Sequence, residues 1–489
     1  MYFIKPADRN QFQMMSSMDD LVSEDHPVRL IDVIIDSIVE TNPEYFYQHR
    51  ETDVGRPKYH PATMLKLYIY GYFNGISSSR KLEAETHRNK ELIWLLGGLT
   101  PDHWTISNYR KENAEAIKFV TKRIRNFLKD KGYIKLKSVS IDGSKVKAYA
   151  NREMLSKEKI EKKLEGIGKK IEEYLEKLSD VDRKDDLVEE FEDDSSPSSE
   201  KIKYIEKIIE LEKEVETLKN QKEILKKENR KHLAPSDRDA RLMKSRDGKI
   251  PGYNVQTVVD SENKMIADSE VVTDEVDQGL IKQMIDSLKE EVGETPKEAI
   301  ADKGYYNLEL IEELENENEG LSIYVSKPQK QEKEITFEYD EENDEYKCSQ
   351  GKRLVLFVKN KKKGKTGARV NGYRGIECQG CPFMDQCTKS KKGRTVYRYT
   401  NQKWRDNYVK KMEQALNRKK LSERKSIVEH PFGTIKIMMG KIPILLRGIV
   451  KVSSEINLYT TAYNLKRLFN IERFEELAAK IKGYNWQIA

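Results

Sequence analysis

Three acidic residues that lie far apart in the sequence have the surroundings expected of divalent-metal ligands. Glu429 lies among cations in residues 424–436, while Asp142 and Asp302 each end or interrupt a short apolar run that is typical of a strand. Mg²⁺ binds few protein ligands, usually carboxylates, and keeps its other positions for water and phosphate. Three such acids brought to one point would therefore hold divalent metal.

The chemistry that suits such a site is phosphoryl transfer. A phosphodiester is protected from attack by its own negative charge, and two Mg²⁺ ions about 4 Å apart can activate the attacking oxygen and stabilise the leaving one. The three acids are therefore candidates for the catalytic centre of an enzyme that acts on a nucleic-acid backbone.

Several sequence blocks accompany these acids along the chain. They are His60-Pro61, Ile141-Asp142-Gly143, residues 252–256, residues 301–305, the four cysteines and residues 428–436. In these blocks and their order the chain resembles the DDE transposases of bacterial insertion sequences, and within them the IS1182-like group of IS4-related enzymes.

The resemblance implies an α/β fold with an RNase H-like catalytic domain, in which Asp142, Asp302 and Glu429 bind two Mg²⁺ or Mn²⁺ ions. It also implies hydrolysis of DNA at the ends of the element and joining of the freed 3′-hydroxyl to target DNA. The expected partners are double-stranded DNA, as element ends and as target, and a second copy of the chain when the enzyme assembles on DNA.

The signature of the related IS4 enzymes is Tyr, two residues, Arg, three residues, Glu, six residues, Lys. Glu429 and Lys436 fit that spacing, but Lys425 stands in the Arg place and Ser422 in the Tyr place. Arg424, one residue earlier, can supply the guanidinium. The resemblance therefore implies that Lys436, together with Arg424 or Lys425, holds phosphates near the metals.

Local structure around the acids allows alternatives. Residues 404–436 have the pattern of a helix, which would place Lys425, Glu429 and Lys436 on one face. Pro431 is expected to bend or restart that helix just after Glu429. On the residues alone, Asp142-Gly143 could equally be a hairpin turn and Asp302 an ordinary helix cap.

Length and composition predict a multidomain protein of the cytosol. A chain of 489 residues exceeds what one compact core usually holds, so two or three domains are expected. No apolar run has the length of a signal peptide or of a membrane span. We therefore expect a cytoplasmic, nucleoid-associated protein with no membrane partner.

The four cysteines predict a structural zinc site in a basic insertion at 330–402. Cys348, Cys378, Cys381 and Cys387 are clustered, and the pair spaced by two residues is a common corner of a tetrahedral Cys₄ site. Residues 351–400 contain fourteen Lys or Arg and two acids, which gives a local net charge of 14 − 2 = +12. Such a surface attracts polyanions, and phosphate binding is expected here.

Residues 1–130 are predicted to form an all-helical DNA-binding domain, ahead of a catalytic domain at 131–489. Apolar residues recur at helical spacing after Pro27 and after Pro61. Residues 101–111 could form a helix that enters a major groove. The alternative is a packing helix with Trp104 and Tyr109 in its core.

A second insertion, at 152–232, has the pattern of a coiled-coil-like helical hairpin. Two segments rich in Lys, Glu, Leu and Ile carry apolar residues in alternating steps of four and three. The acidic link from 180 to 200 is expected to be disordered. The arms are expected to project roughly 30 Å and to pair within the chain, although a role in dimerisation stays open.

Two other functions compete with transposition. One is a metal-dependent DNA nuclease that cuts without joining, and the other is a catalytically inactive zinc-containing DNA-binding protein. A strand-transfer assay distinguishes the nuclease, which would not join DNA, from a transposase. Metal-dependent nicking distinguishes the inactive binding protein, which would not cut DNA, from both enzymes.

Overall fold

A mixed sheet at the centre of the computed structural model carries Asp142 and Asp302. The structure describes residues 17–47, 58–151, 153–189, 199–245, 248–328, 335–363, 368–439 and 442–487. In that part of the chain, the sheet strands are β1 (Ser138–Lys147), β2 (Arg241–Ser245), β3 (Gly248–Asp260), β4 (Ile266–Val272), β5 (Glu298–Ala301) and β6 (Ser322–Val325). Their order is β2-β3-β1-β5-β6, and β4 also pairs with β3. The predicted α/β class is confirmed.

The directions of the strands divide the sheet into two halves. β1 is antiparallel to β3, and β3 is antiparallel to β4, so the predicted three-stranded meander is present. On the other side β5 runs parallel to both β1 and β6. The predicted buried strand before Asp302 is β5, and Asp302 follows its last residue.

Asp142 and Gly143 do not form a hairpin turn, so that interpretation is wrong. β1 continues through both residues to Lys147, with Asp142 opposite Thr257 and Gly143 opposite Gln256 on β3. Because the long antiparallel partner β3 supplies hydrogen bonds along this stretch, the Asp-Gly pair stays extended.

Helices precede and cover the sheet. The N-terminal ones are α1 (Pro27–Thr41), α2 (Pro61–Phe73), α3 (Ser79–Thr86), α4 (Lys90–Leu95), α5 (His103–Glu112) and α6 (Ala114–Asp130). Between and after strands lie α9 (Leu280–Val292) and α10 (Leu308–Glu317), and the chain ends with α14 (Ile449–Ile471) and α15 (Phe474–Lys482). None of the helices in the described ranges combines the length and apolar character needed to span a bilayer.

The N-terminal helices and the sheet share one buried cluster of apolar side chains. Buried ion pairs join the N-terminal helices to the rest of the fold: Arg110 on α5 lies 3.7 Å from Glu455 on α14, and Arg125 on α6 lies 3.3 Å from Asp268 on β4 and 2.8 Å from Glu291 on α9. Removing one partner of a buried pair leaves an uncompensated charge. These pairs therefore fix the helical region against the catalytic sheet.

The inserted helices α7 (Lys157–Glu189) and α8 (Ser199–Lys227) pair with each other, as predicted. Glu161 near the start of α7 contacts Lys222 near the end of α8 at 2.7 Å, so the pair is antiparallel. Residues 180–189 belong to α7, so the prediction of disorder is wrong there, and 190–198 lie outside the described residues. With 33 residues α7 is about 50 Å long, longer than predicted.

The cysteine-containing insertion folds as a second, antiparallel sheet that the sequence did not predict. In the described residues its strands, in the order β11-β10-β9-β8-β7, are β7 (Phe337–Asp340), β8 (Glu345–Cys348), β9 (Arg353–Lys363), β10 (Ala368–Gly375) and β11 (Thr395–Tyr399). The short helix α11 (Met384–Cys387) lies between β10 and β11. Tyr346, Leu354 and Tyr373 form a small buried core.

The predicted helix at 404–436 is two helices, α12 (Gln402–Glu413) and α13 (Ala415–Met439). Pro431 lies inside α13, so the predicted restart after Glu429 is wrong. Proline removes one helical hydrogen bond. Phe432 and Ile435 just beyond it are buried, and their packing holds the next turn in place.

Candidate active site

The sheet places Asp142 and Asp302 side by side. Ile141 on β1 and Ala301 on β5 are register partners in a parallel pair, and each acid is the next residue along the chain. Neighbouring strands lie about 4.8 Å apart. β5 ends here, and Asp302 caps a short 3₁₀ turn by accepting a hydrogen bond from Gly304 N at 2.6 Å. Asp302 therefore acts as a cap and also faces Asp142.

Electrostatics at this acid pair are set by burial and by one arginine. Burial raises the pKa of the Asp142 carboxyl, the nearby Arg424 guanidinium lowers it, and the neighbouring Asp302 carboxylate raises it. Arg424 Nη1 lies 3.3 Å from Asp142 Oδ1. Two adjacent carboxylates, half-shielded from water, are the ligand type that a hard divalent cation prefers.

The other predicted site residues lie on two different faces of α13. Arg424 faces the sheet, on the side of the buried Val428. Lys425, Glu429 and Lys436 are exposed on another face, as their spacing predicted. Glu429 is 55% exposed and lies 3.9 Å from Lys425. Of the two basic candidates, Arg424 is therefore the one that contacts the acid pair.

Glu429 does not join Asp142 and Asp302 in the arrangement described. Among the described residues, no group of three or more His, Cys, Asp or Glu side chains is arranged to hold a metal ion. The structure thus brings together Asp142, Asp302 and Arg424. The triad with Glu429 stays a prediction.

A polar network beside the acid pair was missed by the sequence reasoning. Asp277, in the loop before α9, accepts hydrogen bonds from Lys145 Nζ at 2.9 Å, Asn254 Nδ2 at 2.8 Å and Gln256 Nε2 at 3.0 Å. The buried Tyr305 hydroxyl donates to Gln256 Oε1. Asn254 and Gln256 alternate on one face of β3, and two such polar residues in a strand were the available signal.

The four cysteines line one cavity between the second sheet and α11. Cys381 N donates to the Cys378 carbonyl at 3.2 Å, which closes the turn between these two thiols, and Gly380 has the positive φ of 78° that this turn requires. Burial raises the pKa of the Cys387 thiol, Arg394 opposes the shift, and the other three cysteines add to it. The four sequence-predicted cysteines therefore line one cavity, but among the described residues they are not arranged as a metal site, and the zinc site stays a prediction.

Guanidinium groups of the second sheet and of α12 stack on aromatic rings. Arg398 lies 3.7 Å from the Tyr339 ring centroid, and Arg374 lies 4.0 Å from that of Phe357. Arg405 on α12 lies 3.6 Å from that of Tyr399. Residues 364–367 of the predicted basic surface lie outside the described residues.

Helix α5 exposes the residue that its packing interpretation placed in the core. Trp104 is 70% exposed, whereas Tyr109 is partly buried and stacks on Tyr68 with ring centroids 6.4 Å apart. The packing interpretation is therefore wrong for Trp104. Trp104 and Lys111, seven positions apart on α5, are both exposed.

Two family models match parts of the chain. Residues 16–112 match the transposase domain DUF772, and residues 347–469 match a transposase DDE domain. The second range includes the cysteines and α13, while Asp142 and Asp302 lie between the two ranges. No curated protein matches the chain.

One solved structure is similar at a low level. The cryo-EM structure of a piggyBac transposase synaptic complex with hairpin DNA is 10% identical, with a TM-score of 0.24, and the comparison covers 95% of this chain and 85% of that chain. A similarity of this size supports no structural conclusion.

Proposed function

We propose that this chain, a DDE transposase of an insertion sequence by its two domain matches, cuts DNA at element ends and joins the freed 3′-hydroxyl to target DNA. The observation that carries the proposal is the pair Asp142 and Asp302, brought together by the register of two parallel strands. The strand order supports an RNase H-like domain at 131–489, since an antiparallel meander is extended by two parallel strands. The region 1–130 and the insertions at 152–232 and 330–402 complete the proposed domains.

Asp142 and Asp302 fit a divalent cation, and enzymes of this class generally use such ions. Bound there, Mg²⁺ or Mn²⁺ would activate the attacking oxygen and stabilise the leaving one. The protein's part is to hold the two carboxylates at a fixed separation, with the Arg424 guanidinium opposing the rise that burial causes in the pKa of Asp142. Arg424 beside Asp142 suits a phosphate oxygen equally well, because a guanidinium can bind a phosphate in a bidentate manner.

Glu429 is the proposed third carboxylate. It is five positions after Arg424, which corresponds to about 140° around a helix. We propose that α13 turns about its axis to bring Glu429 to the acid pair, a movement that requires Val428 and Ile435 to leave their buried positions. The same turn would bring Lys425 and Lys436 towards bound phosphates, because all three share one face.

DNA is the proposed partner of two surfaces. The basic second sheet attracts the backbone through charge, and its stacked guanidinium groups are already oriented. Trp104 and Lys111 on α5 offer a second contact in the region that matches a transposase domain. Because an element has two ends, we propose that two copies of the chain assemble on DNA, at the nucleoid.

The function is tested on a plasmid that carries this reading frame with its native flanking DNA. Purified full-length protein with Mn²⁺ is expected to nick the plasmid at the boundaries of the element and to join the new 3′ ends to a second, unrelated plasmid. Sequencing of the products locates both events. Nicking without joined products would support the nuclease alternative, and DNA binding without nicking would support the inactive binding protein.

We also propose that the four cysteines hold one structural zinc ion. They approach one another from β8, from the turn at 378–381 and from α11, and each supplies a soft sulfur ligand. The buried core of this insertion consists of Tyr346, Leu354 and Tyr373. Because so small a core contributes little stability, we propose that a bound metal ion stabilises the fold. Four protein ligands leave no open position for catalysis, so the role is structural.

Replacing both Cys378 and Cys381 with serine is expected to remove the zinc. Wild-type protein should contain about one zinc per chain by plasma emission spectrometry, and the double variant less than about a tenth of that. The insertion should then be cleaved faster by trypsin, because its folding depends on the metal. Lys389→Ala, an exposed change nearby, is the control. Stoichiometric zinc in the double variant would contradict the site.

A further inference from the structure

We propose that Asp277 is a positioning residue for the acid pair, and this inference rests on the proposed function of Asp142 and Asp302. Asp277 lies in the loop between β4 and α9, outside every sequence block that suggested chemistry. Its carboxylate ties the loop to β1 through Lys145 and to β3 through Asn254 and Gln256. It thereby fixes the strand that carries Asp142.

The network also reaches the turn that carries Asp302. Gln256 Oε1 accepts a hydrogen bond from the hydroxyl of Tyr305. Tyr305 is fully buried and lies three residues after Asp302. Burial raises the pKa of Tyr305 strongly, and the carboxylates of Asp277, Asp142 and Asp302 raise it further, in that order. The phenol therefore stays protonated as a donor among three acids, and through Gln256 it connects Asp277 to the second half of the site.

Two glycines leave room for the side chains of this network. A Cβ atom on Gly143 would lie 2.3 Å from Gln256 Nε2 and 2.8 Å from Asp277 Oδ1. A Cβ atom on Gly304 would lie 2.8 Å from Asp302 Oδ1 and 3.8 Å from Asp277 Cβ. Gly143 follows one acid directly, and Gly304 is two residues after the other, so side chains there would displace either the network or the acid.

Charge within the network is balanced in a way that leaves the acid pair negative. Lys145 Nζ and Asp277 Oδ1 form an ion pair 2.9 Å apart, with side chains 15% and 24% exposed. Because Lys145 pairs with Asp277, its charge does not neutralise Asp142, three residues away on the same strand. Asp277 thus acts on the ligands through β1, β3 and Tyr305, and residues that support metal ligands typically affect metal affinity by about 10- to 100-fold.

The test compares Asp277→Ala, Asp277→Asn and the control Asp274→Ala in the full-length protein. Asp274 lies in the same loop with an exposed side chain, and it contacts Asn254 through its backbone carbonyl instead. Mn²⁺ binding is measured from the free-ion signal in electron paramagnetic resonance, and folding from urea unfolding. We expect Asp277→Ala to bind Mn²⁺ about 10-fold more weakly, Asp277→Asn to recover most of the loss, and Asp274→Ala to match the wild type.

Wild-type Mn²⁺ affinity in Asp277→Ala would overturn the inference, as would an equal loss in Asp274→Ala or no recovery in Asp277→Asn. If Asp277→Ala does not fold, Lys145→Gln takes its place under the same criteria. Asp142→Asn separates the two levels of the argument. If it binds Mn²⁺ as the wild type does, the proposed metal site itself fails; if only the Asp277 variants are unaffected, the metal site stands and the positioning role fails.

Discussion

Asp142→Asn and Asp302→Asn are each expected to reduce Mn²⁺-dependent nicking of the element-bearing plasmid by at least about 10³-fold. Asparagine keeps the shape of the side chain and removes the charge that would attract the cation. Because the acids lie on adjacent strands in register, neither can replace the other. Initial rates of nicking under single-turnover conditions measure the effect.

Folding and catalysis are separable in this experiment. Burial raises the pKa of Asp142, so the folded chain stabilises this carboxylate less well than the unfolded chain does. Asp142→Asn should therefore unfold at a urea concentration no lower than that of the wild type. Asp286→Asn, an exposed change on α9, is the matched control and should keep full activity. Nicking by Asp142→Asn within about tenfold of the wild type would contradict the assignment.

The resemblance to DDE transposases selected Asp142 and Asp302, and the local strand signals before each acid are consistent with the place the structure gives them. An apolar run precedes each acid, and two buried parallel strands that end at one edge of a sheet bring their next residues together. The meander of β1, β3 and β4 followed from alternation and a turn signal in the same way. In each case a short stretch of sequence determines the geometry.

The local sequence does not determine which face of a helix points towards the sheet. Spacing placed Lys425, Glu429 and Lys436 on one face of α13 correctly, but the buried residues Val428 and Ile435 turn another face towards the sheet. That choice depends on which apolar residues the sheet accepts. For this reason Arg424, which is out of phase with the signature, contacts Asp142.

Hydrogen-bond networks between residues far apart in the chain also could not be predicted from the sequence. Asp277 is 132 positions from Lys145 and 21 from Gln256, and no spacing rule connects an isolated loop acid to either. The second sheet was missed for another reason. The lysines at the end of β9 resemble a solvated loop in composition, whereas the strands of this sheet are stabilised by the cross-strand packing of Tyr346, Leu354 and Tyr373.

Glu429→Gln is expected to lower nicking by at least about 10³-fold, although Glu429 is exposed in this structure. The proposed turn of α13 makes it the third carboxylate at the acid pair, and glutamine removes the charge while keeping the length of the side chain. A closely matched control exists on the same helix. Glu423 is 57% exposed and lies 3.8 Å from Lys419, four residues earlier, just as Glu429 is 55% exposed and lies 3.9 Å from Lys425.

The two variants are equivalent in everything except the proposed role. Exposed pairs four residues apart on a helix contribute only about 0.3–0.5 kcal/mol, so Glu423→Gln and Glu429→Gln should unfold at nearly the same urea concentration. Both remove one negative charge from α13, so both should bind DNA similarly. A selective loss of nicking in Glu429→Gln therefore isolates its contribution to the site. If the two variants nick DNA at rates within about threefold of each other, Glu429 is not the third ligand, since loss of a metal ligand costs far more.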